Sequence, residues 1–188
     1  QNLVFATAAG EIGWTPLGRG PDRFGWDGRF PAPAWRADVG WRGLLPAEEK
    51  PLLLNPELGA IATANSLLPV ERPAWFGEEF DTPHRVERAR QELATRTDWT
   101  PEAFVTLQDD TVSLWARELV AAIGSGFEGD AARAAAALGA WDGAMKVTGP
   151  AALFALFERE LQRRTFEDEA KAAGIARFGD RKRLSALL

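Results

Sequence analysis

Five prolines, Pro31, Pro33, Pro46, Pro51 and Pro56, bar any long helix from the first part of this chain. Each fixes φ and removes a backbone donor, so the segments between them are extended or turned. The short β-prone runs 3–7, 12–14 and 61–63 then read as strands, with Gly10-Glu11 as the hairpin turn between the first two. Near residue 81 the signals change. Thr82-Pro83 and Thr100-Pro101-Glu102 each read as an N-cap followed by the first helical residue. The helix after Pro101 is expected to carry Phe104, Leu107, Thr111, Leu114 and Trp115 on one side and to stop near Gly124. Asp130 is expected to cap an alanine-rich helix ending by Gly139 or running on to Trp141. Gly149-Pro150 opens a fourth helix, with a stripe of Leu153, Phe154, Leu156, Phe157 and Leu161 and a break at Gly174. The expected class is α+β, with strands and ordered loops over 1–81 and a helical lobe over 82–188.

Several chemistries are excluded early. The net charge is −5 with Lys and Arg scattered among Asp and Glu, which is no nucleic-acid surface. The basic cluster 177–183 reads as a solvated tail. Without cysteine there is no disulfide scaffold, no thiol nucleophile within these residues and no Cys metal site, and the compartment stays open. No apolar run approaches the roughly twenty residues of a membrane span. Dinucleotide, P-loop, HExxH and EF-hand signatures are missing. The single histidine, His84, sits at a helix start, and none of Ser66, Ser113, Ser125 or Ser185 lies in a Gly-x-Ser-x-Gly turn. A serine triad within the chain is therefore not expected. Adjacent carboxylates such as Glu48-Glu49 and Asp109-Asp110 point apart and read as solvated faces. Trp-Asp-Gly occurs at Trp26 and at Trp141 with unmatched flanks, so it reads as a tight-turn device and not as a repeat.

One segment points to a site. In Gly59-Ala-Ile-Ala-Thr-Ala-Asn65 an apolar run delivers an amide into a Ser-Leu-Leu-Pro loop. An asparagine there is either a turn former or a donor to a developing oxyanion. Together with Trp26-Asp-Gly28, Trp41-Arg-Gly-Leu-Leu-Pro46, Asn55-Pro-Glu-Leu-Gly59 and Arg85, the segment resembles the large chain of the penicillin acylase family of N-terminal-nucleophile amidases. The resemblance implies a piece of an αββα fold, a small sheet edge plus a helical lobe, and hydrolysis of linear amides such as β-lactam side chains or N-acyl homoserine lactones. The attacking group of such enzymes is the first residue of the processed chain, with its own α-amine as base. This chain begins Gln1-Asn2, so the expectation is an internal piece, inactive alone, whose partners are a small acylated substrate and the rest of the parent amidase.

The resemblance also assigns residues. Asn65 matches the family's oxyanion donor, and Arg85, some twenty residues on, matches the arginine that holds that asparagine and lines the substrate entrance. Arg85 falls in the first turn of a helix, where the dipole disfavours a cation, and a residue at odds with its surroundings invites a functional reading. Pairing with Asp81 or Glu79 is the plainer alternative. Many members carry a second asparagine after the first, and here that position is Ser66. No cofactor is implied for the chemistry. A structural calcium in the intact enzyme is implied near Glu71 and the Trp26-Asp-Gly28 turn, without a residue-by-residue match. Family habit places the parent in the periplasm or outside the cell. Two other readings stand beside this one: a non-catalytic module stacking a sugar or peptide on Trp26, Trp35 and Trp41, and a helical lobe docking a partner through the stripe along residues 154–161.

Overall fold

The hairpin expected at the start is the organising element of the first part of the fold. The computed structural model describes residues 2–67, 70 and 80–174. Strand β1 (Asn2–Ala6) pairs antiparallel with β2 (Ile12–Pro16), with Val4 opposite Trp14. The turn closes through Thr7 N–H to the Glu11 carbonyl at 2.8 Å, with Gly10 at φ +87°. Trp14 is buried, and its indole N–H is satisfied by the Asn2 side chain at 2.9 Å. Gly13 is glycine for a spatial reason: the Phe5 ring lies where its Cβ would stand.

A two-residue strand, β5 (Leu53–Leu54), joins the other side of β2 and completes a three-stranded sheet in the order β1-β2-β5. Asn55, at φ +45°, then grips β2 twice. Its N–H donates to the Ile12 carbonyl and its Oδ1 accepts from the Ile12 N–H, both at 2.9 Å. A second hairpin, β3 (Pro21–Phe24) with β4 (Gly40–Leu44), carries a bulge between Asp22 and Arg23. Neither strand was expected, because glycines 40 and 43 and the charges of Asp22, Arg23 and Arg42 hide any alternation. The run 61–63, expected as a strand, is not one. It is β-prone in residue type but finds no ladder partner among the described residues.

The chain divides into two compact units, Gln1–Val86 and Glu87–Leu188. The division falls within α1 (His84–Leu93), which begins one residue later than the Thr82-Pro83 signal predicts, with Pro83 in the turn before it. Among the described residues, five helices stand where four were expected. The helix foreseen from Pro101 to Gly124 is two: α2 (Pro101–Gln108), capped by the Thr100 hydroxyl, and α3 (Leu114–Ala121), capped by Ser113 Oγ on the Ala116 N–H at 3.1 Å. Between them Asp110 Oδ1 takes the Val112 N–H at 2.8 Å, a local turn that competes with helix. The two halves do not share a face either, since Phe104 is 43% exposed and Trp115 is buried. Helix α4 (Gly129–Gly139) ends where expected. Its N-cap is Glu128 and not Asp130, which sits in the first turn and pairs with Arg133. Helix α5 (Gly149–Ala172) starts at the predicted Gly-Pro and stops before Gly174, which has φ +68°.

The core of this second unit is Trp115, Ala116, Leu119, Leu138 and Phe154, flanked by Leu153, Phe157 and Leu161 of α5. Those α5 residues lie within an arc of about 100°. Leu156 falls outside it and is exposed, so the stripe is narrower than the sequence suggests. Trp115 Nε1 donates to buried Glu158 at 2.6 Å, joining α3 to α5. Both Trp-Asp-Gly sequences are turns. Asp27 accepts from the Arg29 N–H and Asp142 from the Ala144 N–H, each followed by a left-handed glycine.

Arg88 of α1 meets Asp110 with both its Nε and Nη2, the side chains being about one-fifth exposed. Hydrogen bonding from Arg88 holds the Asp110 carboxyl below its ordinary pKa against the opposing effect of burial. A folded-state pKa below the unfolded value contributes stability above the unfolded pKa, and that contribution disappears as pH falls through the folded one. Asp110→Asn should therefore cost about 1–2 kcal/mol at pH 7 and progressively less as pH falls below the ordinary carboxylate range. Urea unfolding of both proteins over a descending pH series checks this. A loss that stays constant across the series would remove the ion pair as the cause.

Candidate functional site

Past the Asn55 grip, the chain turns at Gly59, whose N–H donates to the Pro56 carbonyl at 2.8 Å with φ +67°. It then runs without regular structure to Asn65, which lies in the left-handed region at φ +58°. That region costs most L-residues roughly 1–2 kcal/mol, and asparagine is among the few that visit it readily. The Asn65 side chain is exposed. The Asn65 carbonyl accepts the Asp81 N–H at 2.8 Å, closing the excursion between them.

Asp81 is a junction. Its Oδ1 accepts the Thr82 N–H at 3.0 Å, and its Oδ2 accepts from Arg85 Nη1 at 3.4 Å, one helical turn on. Arg85 is the second residue of α1, within the first turn as the sequence implies, with its side chain 68% exposed. The pairing with Asp81 that the sequence left as an alternative is thus present, and Glu79 lies outside the described residues. Asp81 bonds to both candidates, to the Asn65 carbonyl through its main-chain N–H and to Arg85 through its carboxylate. Sequence reasoning named Asp81 only as an ion partner. Its position immediately before a Thr-Pro helix start was the available signal.

The remaining candidates are placed as follows. Ser66 Oγ is shielded and has no hydrogen-bond partner among the described residues. Ser113 is occupied as the α3 cap, and His84 is half-buried as the first residue of α1. Glu71 is outside the described residues. Both Asp27 oxygens are engaged by Arg29, and among the described residues no three acidic or imidazole groups converge. Among the tryptophans, Trp35 and Trp41 are exposed. The Arg23 guanidinium lies 5.5 Å from the centroid of the Trp26 ring and 6.0 Å from that of Trp41. No helix among the described residues is long and apolar enough to cross a membrane.

An exposed amide can donate to the charge that builds up when an amide is cleaved, and here the main chain of Asn65 is joined through Asp81 to Arg85. The chain belongs to the penicillin amidase family, whose model matches residues 1–188. It is 31% identical over 168 residues to the penicillin acylase 2 proenzyme of Pseudomonas sp. (strain SE83), covering 87% of this chain and 22% of that protein. It is likewise 31% identical over 189 residues to the acyl-homoserine lactone acylase QuiP of Pseudomonas putida, covering 89% of this chain and 23% of that protein. The chain thus spans less than a quarter of the length of these curated relatives. In fold it is similar to a thermostable penicillin G acylase from Alcaligenes faecalis, with a TM-score of 0.58 at 19% identity over 79% of this chain and 28% of that one.

Proposed function

We propose that these residues form part of a penicillin acylase-like amidohydrolase that cleaves linear amide bonds, with Asn65 donating to the oxyanion and Arg85 orienting Asn65 at the substrate entrance. The observation that carries this reading is Asn65 itself, an exposed amide in a left-handed turn, tied through Asp81 to Arg85. The names of the relatives support acylated small molecules as substrates, β-lactams or N-acyl homoserine lactones among them. Family membership supports a periplasmic or secreted parent.

In this reading the nucleophile is the hydroxyl or thiol of an N-terminal residue outside this polypeptide. Its α-amine, with a reference pKa near 8, takes the proton as oxygen or sulfur bonds to the acyl carbon. The carbonyl oxygen becomes an oxyanion, and Asn65 Nδ2 donates to it. Collapse breaks the C–N bond, the amine leaves with the proton, and water later releases the acid. The polypeptide alone, spanning 22% of one relative's length, should not turn over.

N-terminal sequencing and intact mass of the parent protein from its native host test the scheme. The expected result is a mature chain beginning with Ser, Thr or Cys and containing residues 1–188. An active parent left unprocessed would sink it.

A further inference from the structure

We infer that Asp81 is a positioning residue that sets Asn65 and Arg85 from one point, an inference that rests on the function proposed above. The two attachments use different parts of Asp81. Its main-chain N–H, 2.8 Å from the Asn65 carbonyl, fixes the peptide plane that follows Asn65. Fixing that plane sets ψ of Asn65, and with φ in the left-handed region the backbone around its Cα–Cβ bond is held in place. Its carboxylate holds Arg85 at 3.4 Å.

The second attachment answers an electrostatic problem. A cation in the first turn of a helix faces the positive end of the dipole, and a carboxylate just before the helix offsets that repulsion while being favoured there itself. The Thr82 N–H, 3.0 Å from Oδ1, orients the carboxylate so that Oδ2 is presented to Arg85. An exposed ion pair of this kind adds little to stability, about 0–1 kcal/mol at most sites, so its effect belongs to placement. A donor displaced by a fraction of an ångström loses much of its value to a transition state.

Asp81→Asn separates the two roles, because it keeps the main-chain N–H and an Oδ1 acceptor while removing the charge that holds Arg85. In the mature parent enzyme acting on a chromogenic N-acyl nitroanilide, kcat should fall about five- to tenfold with KM little changed, and Asp81→Glu should recover part of the loss. Thermal midpoints should stay within about 2 °C of wild type, consistent with a surface substitution. In an Arg85→Gln background the same change should cost nothing further, because the residues act as a unit. Asp81→Asn matching wild type, or lowering kcat as much without Arg85 as with it, would overturn the assignment. If Asn65→Ala turned over normally in the same assay, the reading of the site would fail and this inference with it. An inactive Asn65→Ala beside an unaffected Asp81→Asn would end only the role of Asp81.

Discussion

Asn65→Gly in the processed parent enzyme lowers kcat by roughly 10²–10³-fold and leaves the fold intact; that is the expected result if Asn65 is an oxyanion donor. The left-handed φ of +58° makes the choice of substitution decisive. Glycine enters that conformation without strain, so the turn survives while the amide is lost. Asn65→Asp retains size and tolerance of the left-handed region but presents an acceptor where a donor is needed, and it should lose activity as fully. Asn65→Ala loses the amide and adds about 1 kcal/mol of backbone strain, so it alone of the three should also be measurably less stable. The competing view, asparagine as a turn former, predicts a different order: Gly and Asp near wild type and only Ala impaired. Steady-state kinetics with thermal unfolding of the three variants separates the two accounts, and an active Asn65→Gly enzyme would remove Asn65 from the chemistry.

The largest structural loss is expected at Phe154. Its side chain is 1% exposed among Trp115, Leu119 and Leu138, and its ring lies 5.4 Å from that of Trp141 at a 41° tilt. Phe154→Ala removes the ring from a site bounded by α3, α4 and α5, which can only partly collapse, and such changes cost about 3–5 kcal/mol. The loss should be local to the helical unit. Native-state hydrogen exchange should show amides of α3 and α5 exchanging faster by a hundredfold or more, with the β1–β2 hairpin much less affected. Equal acceleration in both units would show that they unfold together. Phe154→Leu should recover roughly half of the loss, since it restores most of the volume.

Where a helix was announced by local chemistry, the sequence was readable. Thr100-Pro101 and Gly149-Pro150 mark the starts of α2 and α5, and Gly174 marks the end of α5, because caps and left-handed stops act over a few residues. The break at 109–113 was hidden for the opposite reason. It is sustained by partners far away in sequence: the Ser113 N–H donates to the Gly143 carbonyl and the Met145 N–H to the Thr111 carbonyl, each at 2.9 Å. The β3–β4 hairpin is not legible in sequence because its strands are polar and glycine-bearing, and 61–63 is no strand because β-propensity without a ladder partner among the described residues makes no sheet. For the site, physics alone left Asn65 between turn former and donor, and only motif order favoured the latter. The geometry adds what neither supplied, the left-handed backbone and the Asp81 link.

The strand order β1-β2-β5 leaves β1 paired on one side only among the described residues, with Leu3 and Val4 at 40% and 49% exposure. Its outer rim carries no lysine, arginine or proline to blunt it. In practical terms such a rim is a template for any extended chain that meets it, another copy included. The polypeptide expressed by itself is thus liable to polymerise edge to edge as its concentration rises. Dilution, or a lysine at position 4, is the remedy to try before altering the buffer.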